Sequence, residues 1–331
     1  MYSRLTRLLV ALALLTLVSM PGFGWDEAGH KVVAMIAWQE MRPDVRTRVF
    51  KALMAAPEDS QIPTFYMAYG SKSEAARQRE FFVLMSTWAD MIKERSLTTR
   101  FTKYNNSNWH YEDTYWTNQN GKVELVTLTE PGGLAMQKLN DLDKVIRSGS
   151  ATDTDKAIAV AWLIHLVGDI HQPLHASSRV TKSNPKGDQG GNLVLLTPQG
   201  TPRGNQLNLH LFWDSILEQT SPNSKDLCDS DYLDPIAKDI MAAFPYDKEK
   251  DRLQPGKFDV WKNESFDLAS TEVYKGIDWF KMPSDKYKEK ALKIAQERMA
   301  LAGYRLGDLF NDVFGTPSAP APAASPTPAA Q

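Results

Sequence analysis

One cysteine, Cys228, occurs in 331 residues. That excludes an internal disulfide framework, a thiolate zinc cluster and an iron–sulfur centre, which all need several sulfurs. Cys228 is expected to be a small buried apolar residue. Excess charge is also lacking: 38 Lys and Arg against 40 Asp and Glu leave a formal net charge of -2. That balance does not suggest a broad basic surface for nucleic acid. Attraction for polyanions must come from a local site, where bound cations can supply it. Beyond the N-terminal segment no apolar run of spanning length follows, which excludes a polytopic membrane protein. No fixed-period repeat is present, which argues against a solenoid.

The N-terminal segment reads as an export signal. Arg4 and Arg7 precede an apolar run, Leu8 to Val18, too short to span a bilayer comfortably. Gly22 and Gly24 are the small residues of a cleavage site between Gly24 and Trp25. Removing residues 1–24 takes away two arginines and no acid, so the charge moves from -2 to -4. The expected product is secreted or periplasmic, with no stable membrane association. From Thr316 the chain is Ser, Ala and Pro without apolar pattern, and residues 316–331 are expected to be a disordered tail. Between Trp25 and Gly315 no domain boundary is apparent.

That central region reads as all-α, a single compact multi-helix domain with at most a small β-hairpin. Helical periodicity predicts helices over Glu27 to Met41, Asp44 to Ala56, Glu74 to Glu94, Leu134 to Arg147 and Thr154 to Ile170. Further ones are predicted over Leu209 to Gln219, Asp231 to Phe244, Asp259 to Tyr274 and Lys286 to Phe314. Asp153 or Thr154 is the expected cap of the fifth helix, and Pro173 its stop. Asn192 to Leu196 is the expected strand, with Pro198, Gly200, Pro202 and Gly204 turning the chain after it.

Six histidines are present: His30, His110, His165, His171, His175 and His210. His165 and Asp169 stand four apart on one predicted helix, so they share a face; His210 and Asp214 repeat the spacing on another. His175 follows the stop at Pro173, and Asp90 sits within Trp88-Ala89-Asp90 on a third helix. Imidazole nitrogen with carboxylate oxygen suits zinc. One such pair alone is ordinarily a hydrogen bond; two pairs plus His175 make a metal site a real alternative. His171 faces away from His165 and is not expected to ligate. The aromatic run Trp109 to Trp116 is expected to pack rather than bind. A free amine at Trp25, with its carbonyl oxygen, can chelate one ion, because an α-amine loses its proton near pH ~8.

Five motifs follow in order: Trp25-Asp-Glu-Ala-Gly-His30, Trp88-Ala-Asp90, Trp109-His110-Tyr111, His165-Leu-Val-Gly-Asp169-Ile-His-Gln-Pro-Leu-His175 and Asn208-Leu-His210-Leu-Phe-Trp-Asp214. This set resembles the S1/P1 nuclease family, which is related to zinc-dependent phospholipase C. Trp261-Lys-Asn-Glu-Ser265 and the last long helix also fit. The resemblance implies an all-α zinc-dependent nuclease domain over residues 25–315 and three zinc ions per chain. One zinc would be held by Asp90, His110, His165 and Asp169. A second would take the Trp25 amine and carbonyl, His30 and a bridging Asp169. A third would take His175, His210 and Asp214.

It further implies an endonuclease acting on single-stranded DNA and RNA, oligonucleotides and 3′-nucleotides. Products would be 5′-phosphomononucleotides, with 3′-nucleotidase activity alongside. The implied nucleophile is a hydroxide bridging two zinc ions, oriented by Asp90. Lys93 resembles the basic residue that stabilises the pentacovalent phosphorus; the alternative is a solvated helix lysine. Tyr111 and Asp113 resemble a base pocket, the ring stacking and the acid accepting from the base edge. The lack of disulfides departs from fungal and plant members and fits a bacterial one. A monomer is expected. Two alternatives stand beside this reading. A zinc-dependent phospholipase C would use the same metals on lipid headgroups, but that family tends to carry Glu at the position of Asp214 and a wider gap between its terminal Trp and first His. A non-catalytic zinc-binding protein would make no use of Lys93.

Overall fold

The computed structural model describes residues 25–129 and 132–315. The expected signal peptide and the Ser/Ala/Pro tail lie outside the described residues. Among these there are thirteen α-helices: α1 (Glu27–Glu40), α2 (Pro43–Met54), α3 (Glu74–Met85), α4 (Trp88–Met91), α5 (Thr98–Tyr104), α6 (Ala135–Arg147), α7 (Asp153–Asp169), α8 (Leu209–Asp214), α9 (Ile216–Thr220), α10 (Asp229–Ala243), α11 (Tyr246–Leu253), α12 (Phe258–Leu268) and α13 (Asp285–Phe314). The protein is mostly α, as its helical periodicity implied.

Two helices are apolar nearly all round, so they must lie in the middle. In α1 every residue from Ala28 to Trp38 is buried. In α7 the same holds from Ala159 to Asp169. The long helix α13 lies along α1 as its most extensive partner. Glycines permit the approach: a Cβ on Gly303 would stand 2.5 Å from the Ile36 side chain, and one on Gly307 2.7 Å from Glu40 Cβ. The amphipathic α6 closes the other side of α7 with Leu139, Leu142 and Ile146. Caps fix the starts of the central helices. Asp26 accepts from Gly29 N at 2.9 Å at α1, and Thr152 accepts from Asp155 N at 3.1 Å at α7. The cap of α7 is thus Thr152, one residue ahead of the expected Asp153 or Thr154.

Two expected helices are broken, and each break is made by hydroxyls. The run Glu74 to Glu94 divides at Ser86-Thr87. Ser86 Oγ donates to Val83 O at 2.6 Å and Thr87 Oγ1 to Leu84 O at 2.9 Å, bonds that compete with the helical ladder. Likewise Ser215, whose Oγ donates to Leu211 O at 2.7 Å, separates α8 from α9.

The hairpin is not at Asn192 to Leu196. That segment holds a single β-bridge, Leu195 to Asn208, and positive-φ glycines at 187, 190 and 191 turn the chain before it. The hairpin is instead β1 (Thr114–Gln119) and β2 (Lys122–Leu125), paired antiparallel from Trp116 opposite Leu125 to Gln119 opposite Lys122. Asn120 and Gly121, at φ 53° and 85°, form its two-residue turn. A third strand, β3 (Ser177–Arg179), runs parallel to β1 with Thr114 opposite Ser177. This sheet, ordered β2-β1-β3, ties the chain just after His110 to the chain just after His175. Cys228 is exposed, not buried; it precedes α10, with its Sγ 3.3 Å from Ser230 Oγ.

The contact between α1 and α13 generates a stability prediction. Gly303→Val drives new carbons into Ile36 between two fully packed helices. It is expected to cost about 1–3 kcal/mol or more of unfolding free energy. A denaturant titration showing no loss would mean that these helices are less tightly packed than described.

Candidate metal centre

Six elements deliver the acidic and imidazole side chains to one buried region. Helix α1 brings His30, α4 brings Asp90, and the 3-10 turn Ser107–Trp109 ends at His110. Helix α7 contributes His165 and Asp169 from its last turns. A tight turn through Ile170 to Gln172 then leads into the 3-10 segment Pro173–Ala176 with His175, while α8 carries His210 and Asp214.

These residues gather in three groups: His30 with Asp90 and His165, His110 with His165 and Asp169, and His175 with His210 and Asp214. The first two share His165. The two oxygens of the Asp169 carboxylate face different imidazoles. Oδ1 stands 3.2 Å from His30 Nε2; Oδ2 stands 3.0 Å from His110 Nδ1 and 3.2 Å from His165 Nε2. Asp90 Oδ1 faces the same two imidazoles, 3.7 Å from His165 Nε2 and 3.9 Å from His110 Nδ1. In the third group His210 Nε2 is 3.4 Å from Asp214 Oδ2, and His175 Nε2 is 4.0 Å from Asp214 Oδ1.

Donor chemistry tests whether these residues fit a metal. Carbonyl oxygens accept only, so each imidazole nitrogen bonded to one carries the proton. His165 Nδ1 donates to Ser86 O at 2.7 Å, His175 Nδ1 to His110 O at 2.6 Å, and His210 Nδ1 to Gly190 O at 2.7 Å. In the neutral ring the lone pair is then on Nε2. The Nε2 atoms of His175 and His210 therefore point lone pairs at each other across 3.1 Å. A cation relieves that opposition, and a carbonyl-oriented imidazole is the usual metal ligand. Tetrahedral zinc at bond lengths near ~2.0–2.1 Å separates its ligands by about 3.3 Å, within the spread observed here. His110 Nε2, both ring nitrogens of His30 and Asp169 Oδ1 are buried without hydrogen-bond partners. The residues present fit metal ions.

The electrostatics agree. Burial alone would raise Asp169, but His165, His110 and His30 overcome it and hold the carboxyl well below its usual range. Burial likewise opposes ionisation of Asp90, yet His165, Lys93 and His110 bring it down to about 2. His110 falls to about 4 through burial and then through Lys93. Ionised carboxylate with neutral imidazole is the state a metal requires; His110 matches it, whereas at His165 burial is outweighed by Asp169 and Asp90, which raise it and leave a proton for a bound cation to displace. Asp214 is pushed well above its usual range by burial; Gln172 opposes this, but the negative field of Asp26, Asp169 and Asp90 adds to it. A cation at the third group would supply the missing counter-charge.

The neighbouring residues fall as follows. Lys93 is not a solvated helix lysine: its side chain is 10% exposed and its Nζ donates to Asp90 Oδ1 at 2.6 Å. Trp25 is fully buried, and Asp26 N donates to Asp214 O at 3.0 Å, which ties the start of the described chain to α8. Tyr111 and Asp113 follow His110 in the chain, just ahead of β1. Burial, then Asp188 and Glu112, push the Asp113 carboxyl up to about 8. A Cβ on Gly133, at φ 90°, would lie 2.0 Å from Tyr111 O, so glycine is required there. His171 belongs to none of the three groups. Its Nδ1 donates to Val167 O at 2.7 Å and its Nε2 accepts from Arg305 at 2.8 Å.

Sequence reasoning gave no role to Gln172, Ser86, Gly190 or Asp188. Gln172 Nε2 donates to Asp214 Oδ1 at 2.6 Å, and Asp188 accepts from Tyr274 OH at 2.7 Å. Ser86 and Gly190 act through backbone carbonyls, which no residue pattern signals. Gly168 is another silent participant. A Cβ there would stand 2.8 Å from His30 Nδ1 and 3.8 Å from Trp25 Cδ1. Gly168→Ala is therefore expected to displace His30 and weaken metal retention about 10–100-fold, with far-UV circular dichroism unchanged. Unaltered metal content under competing chelator would contradict this.

Comparison with known proteins agrees with the geometry. The family description S1/P1 Nuclease matches residues 25–315. Endonuclease 2 of Arabidopsis thaliana is 24% identical over 305 residues, covering 88% of this chain and 91% of that protein. Nuclease S1 of Aspergillus oryzae is 22% identical over 308 residues, covering 89% and 94%. Endonuclease 3 of Arabidopsis thaliana is 24% identical over 317 residues, covering 92% and 94%. With that match and three His/Asp groups, the chain belongs to the S1/P1 nuclease family of zinc-dependent nucleases, and it is a hydrolase.

Proposed function

We propose that this nuclease holds three zinc ions and cleaves single-stranded DNA and RNA to 5′-phosphomononucleotides, with 3′-nucleotidase activity. The observation that carries the reading is the placement of Asp169, whose two oxygens face two different sets of imidazoles. A carboxylate so placed suits two neighbouring ions. Asp90, His110, His165 and Asp169 would hold the first ion; His30, Asp169 and the amine and carbonyl of Trp25 the second; His175, His210 and Asp214 the third. Bound zinc would acidify an attacking water at neutral pH, neutralise the phosphoryl oxygens and stabilise the leaving 3′-oxygen.

The chain's own groups do the rest. Asp90, fixed by its bond from Lys93, accepts a hydrogen bond from the attacking water and aims its lone pair at phosphorus. Lys93 Nζ donates to a non-bridging oxygen as negative charge grows there. Tyr111 offers its ring to an unstacked base, which favours single strands, and stacking is worth roughly 1–3 kcal/mol. Asp113, its carboxyl pushed up to about 8, keeps a proton near neutral pH and can donate to a base edge as well as accept. Export is part of the proposal. Cleavage between Gly24 and Trp25 frees the amine that the second ion needs, in a periplasmic or secreted monomer. Among the described residues no helix is long and apolar enough to cross a membrane.

Asp169→Asn removes the charge shared by two ions. Metal analysis should find about one zinc in place of three, and hydrolysis of single-stranded DNA should fall at least about a hundredfold. Retention of three zinc would defeat the bridging role. Hydrolysis of phosphatidylcholine in preference to oligonucleotides by the unaltered protein would instead favour the phospholipase C reading. A second variant tests the terminus. One extra residue ahead of Trp25 converts its amine to an amide, and should cost one zinc and nearly all turnover. Full activity in that variant would show that the amine is not a ligand.

A further inference from the structure

The carbonyl that orients His210 belongs to a loop that is neither helix nor strand. Residues 187–191 run Gly-Asp-Gln-Gly-Gly, and all of them but Asp188 have positive φ. No ladder of backbone bonds holds such a segment, so side chains and neighbours must. Its one acid, Asp188, is buried and does this. Asp188 Oδ1 accepts from Arg179 N of β3 at 2.8 Å, and Oδ2 accepts from Tyr274 OH at 2.7 Å. The Gly191 N–H also turns toward the carboxylate. Gln189 N donates to Ser178 Oγ at 3.1 Å, a second tie to β3. Gly190 is thereby pressed against its surroundings: a Cβ there would stand 2.5 Å from Leu174 O. Its own carbonyl oxygen lies 2.7 Å from His210 Nδ1.

Tyr274 does not reach Asp188 from a regular helix. After α12 the chain widens into a π-helical turn, Ala269–Val273, and Tyr274 closes it. Such turns are rare and occur often at functional sites. The Tyr274 ring is held edge-on to Trp116 with centroids 5.5 Å apart, and the Arg179 guanidinium lies 5.2 Å from its centroid. The last carbonyl of the turn, Val273 O, accepts from Tyr287 OH at 2.6 Å. Tyr287 OH accepts in turn from Trp213 Nε1 at 2.9 Å, and Trp213 stands on α8 next to Asp214. The hydrogen bonds therefore close a ring. It leaves α8 through Trp213, Tyr287 and the π-helical turn to Tyr274, and returns through Asp188 and Gly190 to His210 on α8. Of its members only His210 belongs to a His/Asp group.

We propose that Asp188 and Tyr274 are positioning residues of the third group: they fix the Gly190 carbonyl and, through it, the direction of His210 Nε2. The proposal rests on the three-ion reading of the centre. The other oriented imidazoles depend on other carbonyls. His165 Nδ1 donates to Ser86 O, and His175 Nδ1, although in the third group, donates to His110 O. The ring thus governs one ligand of one ion, and loosening it separates the third ion from the first two.

The test compares three variants with the unaltered, zinc-loaded protein. Tyr274→Phe removes one hydroxyl, and Asp188→Ala removes the whole clamp. Asp188→Asn keeps an oxygen for Arg179 N and an amide N–H for the Tyr274 hydroxyl. Against a graded zinc chelator, Tyr274→Phe and Asp188→Ala are expected to release one zinc about 10–100-fold more readily and to hold the other two as the unaltered protein does. Asp188→Asn should restore most of the retention, because the ring needs the bonds and not the charge. Exchange of the imidazole Nδ1 protons, followed by NMR, reads the same positions without counting metal. The His210 proton should exchange at least about tenfold faster in Tyr274→Phe and Asp188→Ala, with those of His165 and His175 unchanged. Release of all three ions together, unaltered release of each, or equal change at the three imidazoles would overturn the proposal. An unaltered protein that holds only two zinc would defeat the three-ion reading instead, and the His210 proton would still decide whether Asp188 and Tyr274 position that ring.

Discussion

A buried carboxylate with imidazoles on both of its oxygens is the constraint on which the rest of this structure depends. Asp169 is wholly out of water, so its charge must be balanced where it stands. The imidazoles of His165, His110 and His30 go part of the way, and Asp90 beside them adds a second carboxylate to the same region. Cations answer that demand, and the lone pairs that face one another within the groups show where the ligand atoms converge. The chain's overall charge of -2 is no obstacle, because the attraction for a polyanion is made locally.

The fold is arranged to hold that turn of chain still. Ser265 Oγ donates to Ile170 O at 2.6 Å, and Arg298 Nε donates to His171 O at 3.3 Å. Arg298 and Arg305, both buried, are paired with Glu264 at 2.6 Å and 2.8 Å. This cluster, built by α12 and α13, fixes the link between Asp169 and His175, which belong to different groups. From the other side the parallel pairing of β1 with β3 fixes His110 relative to His175. The small sheet of a mostly helical protein thus spaces two ligand sets.

Much of this was legible in the sequence because it is local. Helical period gave most of the helices, and the spacing of four placed His165 with Asp169 and His210 with Asp214 on shared faces. The structure departs from the local pattern where tertiary contacts decide. Asn120-Gly121 is a two-residue hairpin signal, and the hairpin forms there rather than at Asn192 to Leu196. Val194 and Leu196 are buried there by the core, not by a sheet. Ser86 breaks a helix that its neighbours would continue, and the carbonyl so released orients His165. The pairing of Asp188 with Tyr274 joins residues far apart in sequence, and spacing carries no trace of it. Cys228 is exposed because it falls at the start of α10, a position that its apolar character does not reveal.

The most direct test of the account is anomalous diffraction at the zinc edge from crystals of the exported protein. Three peaks are expected: two flanking the Asp169 carboxylate, one of them touching the Trp25 amine, and a third among His175, His210 and Asp214. A single peak, or none beside Asp169, would contradict it.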